Sequence, residues 1–302
     1  MLIKCADFFV DGASSFAKNF KIPTTVIGLT IVAFGTSAPE FAISFSSHLS
    51  NNTDMLFGSV IGSNIANILV ILGLAVLIKP FKIHNNVIKK EIPILLLITL
   101  GVSVLFLDKL FDSTQLNSLS RADGIILILF FSVFIYYLVA LLSNNADKSN
   151  EEPKYKIFKS IVMIALGLAG IIFGSDLVVD NIASFASDIG ISQKIISVTI
   201  ISIGTSLPEL VTTVSAAKKG ENNIAIGNIV GSNIFNICIV LGLPVVLLGE
   251  VTTTAFNVVD IFFMLLSVVL LWIFSATNRE IKRFEAAIFI TAYCMYGVYI
   301  FL

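Results

Sequence analysis

Two glutamates, Glu40 and Glu209, lie inside long apolar segments, and each belongs to a copy of the same short motif. The motifs read GTSAPE from Gly35 and GTSLPE from Gly204, which places the two acids 169 residues apart. An acidic residue at the centre of a bilayer costs roughly 2.5–3.5 kcal/mol. Acids at two corresponding places of this kind indicate that a cation or a proton compensates their charge.

Hydroxyl and amide side chains accompany both acids. Thr36 precedes Glu40 by four residues, as Thr205 precedes Glu209, so hydroxyl and carboxylate share one helical face. A second pair of motifs, GSVIGSNIAN and GNIVGSNIFN, follows at the same offset of 169 residues. Its serine and asparagine are again four residues apart in both copies: Ser63 and Asn67, and Ser232 and Asn236.

Pro39 and Pro208, one residue before each acid, interrupt the helical hydrogen bonding. A proline lacks the N–H group and clashes with the carbonyl four residues earlier, so we expect free carbonyl oxygens at Gly35 and Gly204. Carboxylate, hydroxyl, amide and carbonyl groups together form an all-oxygen set without sulfur or imidazole. Hard cations such as Ca²⁺ and Na⁺ prefer this set, whereas zinc and copper do not.

The two carboxylates balance one divalent cation or two monovalent cations, so the two kinds of ion should compete. Carboxylates about 5 Å apart at an effective dielectric of 20 repel each other by roughly 3 kcal/mol. A bound proton relieves this repulsion. We therefore expect protons to compete with the cations and transport to weaken in acid.

The composition is that of an integral membrane protein. Hydrophobic residues make up 56% of the 302 residues and charged residues only 13%, and the mean hydropathy is +0.96. A formal net charge of −1 offers no basic field for nucleic acid. The three cysteines, Cys5, Cys238 and Cys294, lie in or beside apolar stretches and are predicted to be packing residues.

Apolar runs of about twenty residues predict ten membrane-spanning helices, of which the first is shortened. We expect two five-helix repeats, 1–143 and 157–302, joined by a polar cytoplasmic linker at 144–156. An odd number of spans in each repeat inverts the second repeat relative to the first. The predicted spans are 1–18, 22–49, 56–79, 90–107, 122–143, 157–185, 192–217, 223–249, 256–276 and 284–302.

The distribution of Lys and Arg predicts the orientation. If the loop after the first helix is cytoplasmic, 15 of the 19 basic residues face the cytoplasm and three face outward. Both termini should then be extracellular, in a multi-pass protein of the cell membrane.

The first helix is incomplete relative to its repeat. The 169-residue offset aligns Asp7 with Asp176 and Asp11 with Asp180, but the apolar run Ile157 to Ala169 has no partner in the first copy. Either this helix is short or the chain begins partway through a longer sequence. We expect the four aspartates to be interfacial or vestibule residues rather than ligands.

At these motifs the sequence resembles the cation/Ca²⁺ exchanger superfamily, and specifically the prokaryotic sodium/calcium exchangers. The resemblance covers essentially all ten predicted helices except the missing start. It implies a central diamond of four ion sites, with Glu40 and Glu209 as the principal Ca²⁺ ligands. It also implies that helices 1 and 6 slide as a gate across a fixed core.

The resemblance assigns further oxygen ligands for Na⁺ or Ca²⁺. Some relatives carry an aspartate at the position of Asn236, and potassium-dependent relatives typically need an acid there, so this chain resembles the potassium-independent exchangers. The other implied ligands are the side-chain or main-chain oxygens of Thr36, Ser37, Ser63, Asn67, Thr205, Ser206 and Ser232, and the carbonyls of Ala33 and Ser202.

The leading interpretation is a Na⁺-driven Ca²⁺ extruder whose substrates are Ca²⁺ and Na⁺, with no cofactor, no nucleic acid and no obligate protein partner. The alternatives are an antiporter driven by H⁺ or carrying another divalent cation, a passive cation channel, and an intramembrane hydrolase. The hydrolase is disfavoured because both histidines, His48 and His84, lie near loops, so a candidate serine has no visible base to activate it. The motif glycines could also be helix-packing seams: Gly58, Gly62, Gly227 and Gly231.

Overall fold

A computed structural model describes residues 1–107, 117–143, 152–188, 202–253, 255–277 and 279–301. The described chain is almost entirely helical. Its helices are α1 Leu2–Asn19, α2 Thr24–Thr36, α3 Ala38–Leu49, α4 Thr53–Ile78, α5 Ile92–Phe106, α6 Arg121–Ser143, α7 Ile157–Asp188, α8 Ser202–Thr205, α9 Leu207–Lys219, α10 Asn222–Leu248, α11 Val258–Ala276 and α12 Arg283–Phe301. Its short strands are β1 Phe81–Lys82, β2 Asn117–Leu119, β3 Val251–Thr253 and β4 Glu280–Ile281.

Five of these helices are long and apolar enough to cross a membrane: α4, α6, α7, α10 and α11. The pair α2 and α3, bent by 46° at its junction, qualifies as a sixth span if it is counted as one. The protein is therefore an all-helical membrane protein. These segments agree with predicted spans to within three residues. The count of ten stays a prediction, because part of the span predicted at 192–217 and most of the linker lie outside the described residues.

Helices α4 and α10, which carry the second pair of motifs, lie at the centre. Protein buries 67% of the apolar window of α4 and 78% of that of α10, against 22% for α6 and 28% for α7. The surface of α6 and α7 is therefore available to lipid, whereas α4 and α10 are surrounded by other helices. Buried polar groups on the central pair are accordingly shielded from the bilayer.

A glycine seam brings the backbones of α2 and α10 into contact. A Cβ atom added to Gly231 would lie 2.7 Å from the carbonyl oxygen of Leu29, and one added to Gly227 would lie 2.9 Å from that of Thr25. Only glycine permits so close an approach of two helices. The packing interpretation therefore holds for these two glycines, and a Cβ added to Gly58 would lie 3.3 Å from the ring of Phe256.

Matched irregularities interrupt the two central helices. A π-helical turn occupies Asn67–Leu72 in α4, and another occupies Asn236–Leu241 in α10. Positions that differ by 169 are called matched from here on, and both turns begin at matched asparagines. Single π-helical turns inside α-helices occur frequently at functional sites.

Two small antiparallel ladders join the first half of the chain to the second. Strand β1 pairs with β4, and β2 pairs with β3. Helix α1 packs along α7 and also against α9. The two halves are therefore interleaved rather than arranged as separate domains.

We expect Gly231→Ala to destabilise the protein by roughly 1–3 kcal/mol, because the added methyl overpacks a backbone contact that cannot move easily. Gly297→Ala is the control, since no described atom lies within 4 Å of a Cβ at that helical glycine. The measurement is thermal unfolding of both variants in detergent. Equal melting temperatures for the two variants would contradict the seam.

Candidate functional site

The two GTSxPE motifs form two helix breaks of the same shape. The residue at each break is a serine with nearly identical backbone angles, φ −84° and ψ 7° at Ser37 and φ −88° and ψ 6° at Ser206. A proline follows in the first turn of the next helix, and the glutamate stands in that same turn. Negative charge is favoured there, because the first N–H groups of a helix are free and its dipole is positive.

The breaks bring Glu40 and Glu209 together from opposite halves of the chain. Ser37 Oγ donates a hydrogen bond to Glu209 Oε1 at 2.9 Å, and Ser206 Oγ donates one to Glu40 Oε1 at 3.4 Å. The contact is therefore reciprocal, with matched residues exchanging roles. Glu40 is 1% exposed and Glu209 is fully buried, so two ionised carboxylates brought together here repel each other more strongly than they would in water.

Among the buried side-chain oxygens without a hydrogen-bond partner in the described residues, four belong to the two glutamates and to the asparagines that end the second pair of motifs. They are Oε2 of Glu40 and of Glu209, and Oδ1 of Asn67 and of Asn236. An unpartnered buried polar atom costs about 1–3 kcal/mol, and more when it is charged. All four are hard oxygen acceptors, two of them from carboxylates, so one Ca²⁺ or two Na⁺ would satisfy both their charge and their bonding.

The Ala33 carbonyl, predicted to face Na⁺, is a hydrogen-bond centre in this structure. It accepts from the Ser37 N–H at 3.0 Å, from Thr36 Oγ1 at 3.2 Å and from Ser232 Oγ at 3.4 Å. These bonds tie α2, the helix break and α10 to one atom. The matched residue is Ser202, whose carbonyl was also predicted to face Na⁺. It begins α8, and its side chain lies outside the described part of the chain.

The expectation of free carbonyls at Gly35 and Gly204 stays a prediction. The main-chain N–H at the first break, that of Ser37, donates to the Ala33 carbonyl at 3.0 Å.

Several polar residues of this region were not singled out from the sequence. Asn228 Oδ1 lies 3.1 Å from Thr36 Oγ1 and competes with the Ala33 carbonyl for its one hydroxyl proton, while Asn228 Nδ2 donates to Thr213 Oγ1 at 2.9 Å. The matched residue is Ser59, so the internal repeat gave no signal for Asn228. Asn64 and Asn233 are matched and buried, and their place in both GSN motifs was the available signal.

Comparisons with known proteins agree with this geometry. The family model described as sodium/calcium exchanger protein matches residues 1–140 and 159–302. The chain belongs to the sodium/calcium exchanger family. The protein is therefore a membrane antiporter of cations, Ca²⁺ among them, and not an enzyme.

Individual relatives match over most of the chain. The inner membrane protein YrbG of Escherichia coli K12 is 39% identical over 85% of this chain and 80% of its own length. The sodium/calcium exchanger MaX1 of Methanosarcina acetivorans is 32% identical over 99% of this chain and 95% of its own. A solved structure of the sodium-calcium exchanger NCX_Mj superimposes with a TM-score of 0.83 at 30% identity, covering 97% of this chain and 93% of that one.

Glu209→Gln should stabilise this exchanger in a solution without Na⁺ or Ca²⁺. Glutamine keeps an acceptor for Ser37 and removes one of two repelling charges, so we expect a gain on the order of 1 kcal/mol. The measurement is thermal unfolding in a choline buffer with a Ca²⁺ chelator. Added Ca²⁺ should raise the melting temperature of the wild type and leave that of the variant unchanged; a variant that melts below the ion-free wild type would refute this.

Proposed function

We propose that the protein exchanges Na⁺ for Ca²⁺ across the cell membrane by alternating access and so extrudes Ca²⁺. The observation that carries the proposal is the pair of buried, mutually repelling carboxylates with unpartnered oxygens. Their combined charge of −2 is balanced by one Ca²⁺ or by two Na⁺, so binding of one kind of ion excludes the other. A site that is neutral only with bound ions favours the conformational change of the loaded protein and disfavours that of the empty protein.

We propose that the ligands are the oxygens of both motif pairs, with Glu40 and Glu209 as the principal Ca²⁺ ligands. Their burial and their convergence from four helices support this assignment. The complete proposed set adds Ala33, Thr36, Ser37, Ser63, Asn67, Ser202, Thr205, Ser206, Ser232 and Asn236.

We also propose two inverted repeats of five spans, 1–143 and 157–302, with extracellular termini and a cytoplasmic linker at 144–156. The matched helix breaks, the matched π-helical turns and the reciprocal serine–glutamate bonds support the internal symmetry. The excess of Lys and Arg on one side supports the orientation.

An asymmetry between matched contacts supports alternating access. On α1, Asp7 accepts from Ser215 at 2.5 Å and Asp11 pairs with Lys219 at 2.6 Å, which holds α1 against α9. The matched residues on α7, Asp176 and Asp180, are exposed, and neither makes a hydrogen bond or ion pair with α3 in the described ranges. The described contacts of these matched aspartates therefore differ between the two ends of the molecule, as a transporter caught on one side of its cycle requires.

Reconstituted vesicles distinguish Na⁺ coupling from its alternatives. Vesicles loaded with Na⁺ and diluted into Na⁺-free medium should accumulate ⁴⁵Ca²⁺, because Na⁺ leaving down its gradient drives the exchange. Vesicles without internal Na⁺ are the control. Uptake that does not depend on internal Na⁺ but depends on an imposed pH gradient would establish H⁺ coupling instead. Uptake that depends on the Ca²⁺ gradient alone would establish a channel.

Glu40→Gln and Glu209→Gln should each abolish Na⁺-dependent Ca²⁺ uptake, because one remaining carboxylate cannot balance either load. Glu250→Gln, at an exposed loop position, is the charge-matched control and should leave uptake unchanged. Size-exclusion chromatography in detergent checks that all three variants are folded. Normal uptake by either glutamine variant would remove that residue from the site.

A further inference from the structure

We propose that Asn233 is a positioning residue that orients the Asn67 amide so that the amide oxygen, and not the NH₂ group, faces the cation. The inference rests on the proposed function and concerns a residue outside the proposed ligand set. Asn233 is 1% exposed and lies on α10, opposite the motif asparagines of α4.

The main-chain carbonyl of Asn64 fixes the direction of both hydrogen bonds that Asn233 makes, the one to Asn64 and the one from Asn67. Asn233 Nδ2 donates to the carbonyl oxygen of Asn64 at 3.1 Å, and a carbonyl oxygen can only accept. Asn233 must therefore turn its Oδ1 toward Asn67, and it accepts from Asn67 Nδ2 at 2.9 Å. Asn67 consequently holds its NH₂ group toward Asn233 and its Oδ1 on the other side, where that oxygen is buried and lacks a partner among the described residues.

A second set of hydrogen bonds orients the matched amide, that of Asn236, in the same way. Ser63 Oγ donates to the Val60 carbonyl at 3.1 Å and accepts from Asn236 Nδ2 at 3.1 Å. The Asn236 oxygen is left unpartnered like that of Asn67. Two different residues thus produce the same result on matched asparagines, which indicates that the direction of the amide oxygen matters to the site.

The orientation has an electrostatic consequence. An asparagine amide reversed end for end would direct its NH₂ group at the cation and repel it, because both amide hydrogens carry positive partial charge. Without Asn233, nothing in the described contacts of Asn67 prevents this reversal. Cation affinity should then fall while the chain remains folded.

Asn64 provides the matched control. It occupies the position of Asn233 in the other half, it is equally buried at 1% exposure, and neither side-chain atom has a partner among the described residues. Replacing its side chain leaves its main-chain carbonyl in place. Leucine at position 64 therefore removes a buried amide of the same size and leaves both hydrogen bonds of Asn233 in place.

The experiment measures the KM and kcat for Ca²⁺ in Na⁺-loaded vesicles for the wild type, Asn233→Leu, Asn233→Asp and Asn64→Leu. We expect Asn233→Leu to raise the KM about tenfold, equivalent to about 1.4 kcal/mol, with kcat within about twofold of the wild type. Asn233→Asp keeps an acceptor for Asn67, loses the donor to Asn64 and adds a negative charge that attracts the cations, so its KM should rise by no more than about threefold. Asn64→Leu should leave both constants unchanged.

The outcomes separate this inference from the proposed function. A wild type without Na⁺-dependent uptake would overturn both, whereas a functional wild type with an unchanged KM in Asn233→Leu would overturn the inference alone. If Asn233→Asp raised the KM as much as Asn233→Leu, the bond with the Asn64 carbonyl would explain the lower affinity. If Asn64→Leu raised it as much, packing would explain it. Either result would also overturn the inference. If leucine at position 233 prevents folding, Asn233→Ala is measured by the same criteria.

Discussion

The repulsion between Glu40 and Glu209 sets the conditions that the surrounding structure has to meet. Both carboxylates are buried, and each receives one serine hydrogen bond from the opposite half of the chain. These bonds satisfy one oxygen of each acid and leave the other without a partner in the described structure. A protein that only needed stability would replace such a pair with apolar residues. The cost is consistent with a site built to receive cations.

The scaffold around the acids is correspondingly rigid. The seam at Gly227 and Gly231 lets α10 lie directly against α2, and the Ala33 carbonyl joins α2 to α10 through the hydroxyl of Ser232. Two π-helical turns then begin at Asn67 and Asn236. Tight backbone contact on one side and widened turns on the other place polar side chains in a region that lipid does not reach.

The sequence predicted the parts of the site that repeat. Glu40 and Glu209, the helix breaks before them and the Ser63 and Ser232 faces all follow from two motifs read at one offset. The reciprocal bonds and the bonds of Asn233 could not be predicted, because they join residues 166–172 positions apart and depend on how the halves face each other. Asn228 has no repeated counterpart, because the matched residue is Ser59.

The ion pair between Asp11 and Lys219 has a further consequence for the end of the molecule that it closes. Both side chains are about one-quarter exposed, at 25% and 26%. Pairs of this kind contribute about 0–1 kcal/mol, and dissolved salt screens them. The matched position of Lys219 is Ser50, so this pair has no counterpart at the matched positions. The ionic strength of the solution at the face that the pair closes therefore enters the energetic balance between the two orientations.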